Sequence, residues 1–164
     1  MQIVFDSSTL ILLAKIGLLD VLLDDFPEHP LISKTVEQEC TAKHSSDAQM
    51  IRSRIMEGRI RVAQVRDKKL CAKMENDFNI NLGEAEAILM GKQLKAIIAT
   101  DDWNAIQACK VLRLPYTSAL AILIRMREKK IIDKELAISK LGALVDYGRY
   151  DEQIIRTVRK RLEE

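Results

Sequence analysis

Five acidic residues stand where a carboxylate could do chemistry. Asp6 follows an apolar run in "IVFDSSTLILLAKIGLLDVL", between a short buried strand and a leucine-rich helix. Asp101 and Asp102 follow a second apolar run in "AIIATDDWNAIQACKVL". Glu39 lies in "TVEQEC" and Glu84 in "LGEAEAILMG". Carboxylates brought together repel: unit charges about 4 Å apart cost roughly 4 kcal/mol at an effective dielectric near 20. A cluster of three or four needs a cation among its members. All-oxygen donors favour a hard cation, Mg²⁺ or Mn²⁺, over zinc.

Helical spacing sorts these acids by direction, because residues i, i+3, i+4 and i+7 share a face. Glu84 aligns with Ala87, Ile88 and Gly91, so it emerges from an apolar stripe, where an unpaired carboxylate is costly. Glu86 lies nearly opposite and is expected to be solvated. Glu39 and Cys40 share the inward face of Val36, whereas Glu37 points elsewhere, which makes Glu39 the better candidate. Asp102 aligns with Ala105, Ile106 and Cys109. Asp101 projects about a third of a turn away and is an additional ligand candidate. Asp6 aligns with Thr9, Leu10 and Leu13. Any one Asp at a strand–helix junction could be only a helix cap. Four inward acids, at two strand ends and on two helices, point further.

The elements that must hold these residues follow from hydrophobic period and turn signals. Strands are expected at 2–5, 30–33, 59–65, 96–100 and 114–117. A helix over 8–23 breaks at Gly17 and closes before Pro27. Ser33 and Thr35 can cap a helix to about residue 43. Further helices are expected over 46–57, 67–78, 81–95 and 102–112, and the chain from about 118 is helical, with a turn near "DYGRY". Strands alternating with helices imply an α/β fold with a parallel sheet covered on both faces. Ligands in such sheets bind at the carboxyl ends of the strands. Asp6 and Asp101–Asp102 both fall at such ends.

The totals set the class. The 164 residues suit one domain, with 48% apolar and 30% charged residues, as in an ordinary soluble protein. No apolar run reaches the roughly 18 residues that would span a bilayer, and no signal-peptide pattern opens the chain, so the cytoplasm is expected. Cys40, Cys71 and Cys109 show no zinc-site spacing and are expected to be buried free thiols. A net charge of +2 neither demands nor excludes a nucleic-acid partner. His29 and His44 have no obvious partners and are expected at the surface, which removes support from a histidine mechanism.

The set "VFDSSTLILLAKIGLLDVL", "VEQEC", "LGEAEAILMG" and "IIATDDWNA" resembles PIN-domain nucleases, close to small prokaryotic VapC-type toxin ribonucleases. The match runs in order over nearly the whole chain, and "GEAEAI" followed by an apolar strand and "TDD" is its most specific part. The resemblance implies a single PIN-like domain over 1–164, a three-layer α/β/α sandwich with a central parallel sheet of four or five strands. It implies a metal-dependent endoribonuclease that cuts RNA through an acidic Mg²⁺ or Mn²⁺ pocket. Carried over by position, Asp6, Glu39, Glu84 and Asp102 are the catalytic acids. Asp6, Glu84 and Asp102 hold the principal ion, with Asp101 or Glu39 assisting, and Ser7 or Thr100 helps hold a metal-bound water or a phosphate. Members often carry proline where Thr9 stands and aspartate where Glu84 stands. An acidic pocket needs basic residues around it to hold the RNA backbone. Arg52, Arg54, Arg125 and Arg127 are the candidates, with Lys129 and Lys130. Trp103 could stack on a base, but packing is its expected role. An antitoxin protein and a homodimer are the protein partners that the family brings into view.

Two rivals remain. "FDSSTL" faintly resembles a haloacid-dehalogenase nucleophile loop, but that loop needs a second aspartate where Ser8 stands. A receiver-type phosphoacceptor wants its acidic pair near the first strand, and here the pair follows the fourth. The alternative to the enzyme is a non-catalytic module of the same fold, acting through a protein partner.

Overall fold

Short apolar runs of β-branched and small residues build the sheet. In the computed structural model, which describes residues 1–164, these are β1 (Ile3–Phe5), β2 (Leu31–Ser33), β3 (Arg61–Ala63), β4 (Ile97–Ala99) and β5 (Tyr116–Thr117). They pair in parallel in the order β3-β2-β1-β4-β5. Val4 and Phe5 in β1 and Ile98 and Ala99 in β4 are fully buried, as central strands covered on both faces must be. The register sets Ile3 beside Ile97 and Phe5 beside Ala99. The Asp6 amide extends that ladder by donating to the Ala99 carbonyl at 3.0 Å.

The helices are α1 (Ser7–Lys15), α2 (Leu19–Asp25), α3 (Lys34–Thr41), α4 (Ser46–Met56), α5 (Lys68–Phe78), α6 (Leu82–Leu94), α7 (Trp103–Val111), α8 (Ala119–Glu128), α9 (Lys134–Tyr147) and α10 (Glu152–Glu163). Polar side chains start most of them. Asp6, Ser33, Asp67, Asn81 and Asp102 each accept from a first-turn amide. Gly17, at φ +73°, makes the break between α1 and α2 in the left-handed region open to glycine. The fold is α/β, a three-layer α/β/α sandwich around one parallel sheet of five strands.

The chain divides into two compact units, Met1–Thr117 and Ser118–Glu164. In the first, α6 lies against β1, β2 and β4 and packs on α3, α5 and α7, while α1, α3 and α4 pack on one another. Its core joins Cys71, Met74, Ile88, Leu89, Ile98 and Cys109. The second unit is α8, α9 and α10 packed together. All three cysteines are buried free thiols, and no helix is long and apolar enough to cross a membrane.

Three details depart from the sequence reading. The third strand is shorter than 59–65, since only Arg61–Ala63 finds a partner in β2. The C-terminal segment breaks at a second place, where Lys130 takes a positive φ and Asp133 caps α9. Glu86 is not solvated: it is half-buried, with Oε2 shielded and unpartnered. The reason is that α6 is buried nearly all round, from Gly83 to Gly91, so it has no true solvent face.

Candidate active site

Strand order reverses between β1 and β4. Each connection out of β1 and β2 moves one way across the sheet, and the chain then returns to the other side of β1 to place β4. The crevice of such a sheet opens at the carboxyl ends of the strands that flank this reversal. Asp6 follows β1 there, and Thr100, Asp101 and Asp102 follow β4.

Hydroxyl groups tie these two loops together. Ser8 Oγ donates to Asp6 Oδ1 at 2.6 Å and accepts from the Asp101 amide at 2.9 Å. Thr9 Oγ1 donates to Asp101 Oδ2 at 2.6 Å. Thr100 Oγ1 donates to Asp6 Oδ2 in a short bond and accepts from the Asp102 amide at 3.2 Å. The Thr9 amide also donates to Asp6 Oδ1, at 3.3 Å. Residues more than ninety positions apart thereby share one network. The resemblance gives Ser7 or Thr100 the holding of a metal-bound water or a phosphate; within the protein, Thr100 bonds Asp6, and Ser8 and Thr9 supply the hydroxyls of the first loop to this network. The signal was present in "DSST", because hydroxyls two and three residues after an Asp cap are placed to bond within its turn.

Asp6 is almost wholly buried, at 1% exposure. Burial pushes its carboxyl up to about 7, although the bonds from Ser8, Thr100 and Thr9 pull it down, and the charge of Glu84 adds to the rise. Burial also raises Glu84, against the pull of the Asn81 amide, with the charges of Asp102 and Glu39 adding to the rise. Glu84 completes a capping box: Asn81 Oδ1 accepts from the Glu84 amide at 2.8 Å, and Glu84 Oε2 accepts from the Asn81 amide at 2.9 Å. Asp102 accepts from the Ala105 amide at 2.9 Å.

Glu39 reaches the same place from α3. Its carboxylate oxygens rest where a side chain on Gly83 would begin, 2.8 and 2.9 Å from that absent Cβ position. Only glycine lets the carboxylate lie so close to the start of α6. Glu39 is nevertheless exposed, although its spacing from Val36 places it on the inward face, and Glu37 is the more buried of the two, paired with Lys34 at 2.9 Å. Cys40, the residue after Glu39, is pushed up by burial, with Glu39 and Asp6 adding to the rise. Glu84 thus joins the set, acted on by the charges of Asp102 and Glu39 and itself acting on Asp6.

The donors are carboxylate and hydroxyl oxygens, and both histidines are exposed elsewhere, so in type the set suits a hard dication. The mutual repulsion recorded at Asp6 and Glu84 is what such a charge would relieve. In the arrangement seen here, no three acidic, histidine or cysteine side chains form a ready ligand group. Asp6 has both oxygens hydrogen-bonded, Glu84 Oε2 accepts from the Asn81 amide, and Asp101 Oδ2 accepts from Thr9. Binding an ion would exchange some of these bonds for coordination.

The basic candidates fare differently. Arg54 holds Asp20 through Nε at 2.6 Å and Nη2 at 2.9 Å and reaches Glu57 at 3.1 Å, so its guanidinium ties α4 to α2. Arg52 donates to the Thr41 carbonyl at 2.6 Å. Arg125 and Arg127 are on α8 in the second unit, half-buried, and Arg127 donates to the Leu162 carbonyl at 3.3 Å. Two further lysines share a cleft with Glu39. A cleft of about 240 Å³ beside Glu39 is lined by Lys15 and Lys43 with Ser45 and Asp47. Lys15 at the end of α1 and Lys43 in the loop after α3 are single lysines and carry no sequence signal that would separate them from a solvated face.

A search of curated proteins found no match. A family model described as PIN domain matches residues 2–164. PIN domains are generally nucleases, and those nucleases usually use divalent metals. With that match over practically its full length, and the acids gathered at the β1–β4 reversal, the chain belongs to the PIN-domain family.

Proposed function

We propose that this protein is a metal-dependent endoribonuclease, of the VapC type, that hydrolyses RNA phosphodiester bonds at the acidic site and is held in check by an antitoxin protein. The observation that carries the reading is the convergence of Asp6, Glu39, Glu84 and Asp102 at the strand reversal, each within the field of another. Asp6, Glu84 and Asp102 would hold Mg²⁺ or Mn²⁺, with Asp101 beside them, and the bound ion would acidify a water and neutralise charge developing on the phosphate. Ser8, Thr9 and Thr100 fix the directions of Asp6 and Asp101. Glu39, exposed and lining the cleft, would take the proton from the attacking water. Lys15 and Lys43 give the strand's phosphates a counter-charge next to that acid.

One observation favours a second reading, the non-catalytic binding module. Asp6, Glu84 and Asp102 each bond a first-turn amide, so each has a structural role without any metal. One experiment separates the two readings. Purified protein is incubated with mixed RNA oligonucleotides, single-stranded and structured, in Mg²⁺ or Mn²⁺ and then in EDTA, beside Asp6→Asn. Cleavage that needs the metal and falls at least 100-fold in the variant supports the nuclease. Intact RNA throughout, with the same melting temperature with and without metal, supports the module.

A further inference from the structure

Trp103 is the chain's one tryptophan, and it is 68% exposed. Packing was its expected role, and the structure overturns that expectation. The ring emerges from the first position of α7, one residue after Asp102, so its backbone starts about 3.8 Å from that of a candidate metal ligand. It also stands beside a cation. Lys110, two turns further along the same helix face, reaches back so that Nζ lies 5.9 Å from the ring centroid. This is within cation–π range. Lys110 is itself exposed. An exposed indole next to an exposed ammonium, one residue from an acidic centre, offers a flat apolar face and a counter-charge together. A nucleobase with its attached phosphate has the complementary chemistry. A base inside a duplex has both faces covered, so only an unpaired base can use the ring.

We infer that Trp103 and Lys110 form a base-and-phosphate subsite that selects single-stranded RNA, the indole stacking on an unpaired base next to the scissile bond and Lys110 holding its phosphate. The inference rests on the nuclease reading and specifies its substrate class. A protein surface is the competing use of such a tryptophan. The charge of Lys110 and the adjacency to Asp102 favour RNA.

Because Trp103 is the one tryptophan, its fluorescence reports this subsite alone. The wild-type protein in EDTA is titrated with a single-stranded RNA octamer and with the same octamer in duplex. Binding is followed in parallel by anisotropy of labelled RNA. The expected result is saturable quenching by the single strand and none by the duplex. Trp103→Ala should weaken single-strand binding roughly 10- to 100-fold, Trp103→Phe should retain most of it, and Lys110→Ala should weaken it by a few fold with a shallower salt dependence. The ring is exposed, so folding of Trp103→Ala is checked by an unchanged melting temperature. Single-stranded RNA that binds without quenching and with equal affinity to Trp103→Ala overturns the subsite, and continued metal-dependent cleavage would leave the nuclease reading standing. Quenching that follows protein concentration instead of RNA, with a change of oligomeric state in Trp103→Ala, also overturns it and assigns the ring to a protein contact. Quenching by RNA without cleavage in any metal keeps the subsite and removes the nuclease. Absence of any RNA binding overturns the subsite, and the nuclease reading is then decided by the cleavage assay in metal.

Discussion

Asp6 has three roles in one side chain: it caps α1, anchors the network between the two loops, and supplies the most buried acid of the site. Its carboxyl titrates at 3.8 when solvated and at about 7 in the fold. Between those values the folded protein keeps a proton that the unfolded chain has lost. Stability owed to Asp6 is therefore full at low pH, falls as pH rises through this window, and is lost above about pH 7. In EDTA at pH 8, Asp6→Asn should melt several degrees above wild type, and the gap should narrow at pH 5. Mg²⁺ should raise the wild-type melting temperature and leave the variant unmoved. A wild type that melts higher at pH 8 in EDTA would mean that the bonds from Ser8, Thr9 and Thr100 outweigh burial. Thr9 illustrates why a residue's type alone says little. Its hydroxyl holds Asp101, a role that needed the loop after β4 to arrive beside it.

Helices α3 and α6 meet where Glu39 overlies Gly83. Gly83→Ala puts a methyl into the place of the carboxylate. Glu39 is the far end of a flexible, exposed side chain and can move, and alanine favours a helix by about 1 kcal/mol over glycine. The melting temperature should hold or rise while cleavage drops about tenfold or more, and equal activity in the variant would detach Glu39 from catalysis. Gly91 is the contrasting case. A Cβ there would meet Ile98 Cγ1 at 2.3 Å, inside the packed core between α6 and β4. Helix α4 makes a further contrast, because Arg54 pairs with Asp20 across elements. The pair is bidentate but partly open to solvent, so Arg54→Ala should cost roughly 1 kcal/mol of stability in urea unfolding. Its RNA affinity should stay within twofold of wild type, and a large loss of affinity with unchanged stability would restore Arg54 as a phosphate contact.

Charge is unevenly shared along the molecule. Residues 1–117 carry a net −1 and residues 118–164 a net +3, although the whole is only +2. The acidic site lies in the first unit, and the excess of positive charge lies in the helical second unit. Arg159 and Lys160 on α10 are exposed, whereas Arg125 and Arg127 are half-buried. Reversing both exposed residues, Arg159→Glu with Lys160→Glu, should weaken RNA binding several-fold at low salt and flatten its salt dependence by about two phosphate contacts. The melting temperature should change little. An unchanged salt slope would exclude this helix from the RNA path.

The sequence by itself determined the element order and most element boundaries. It could do so because helical and strand periods are local, and a cap or a break is written within four residues of where it acts. Asp6 above Leu10 and Leu13, the caps at Ser33 and Asp102, and the break at Gly17 were legible on that basis. Tertiary structure alone decided the strand order β3-β2-β1-β4-β5, which brings the hydroxyls of Ser8 and Thr9 to Asp101. It also decided that Arg54 is taken by Asp20, that Glu86 is half-buried, and that Trp103 stands in solvent. Those outcomes depend on which surfaces meet across the fold. No local period encodes that, because the free energy of each contact belongs to a pair of segments and not to either one.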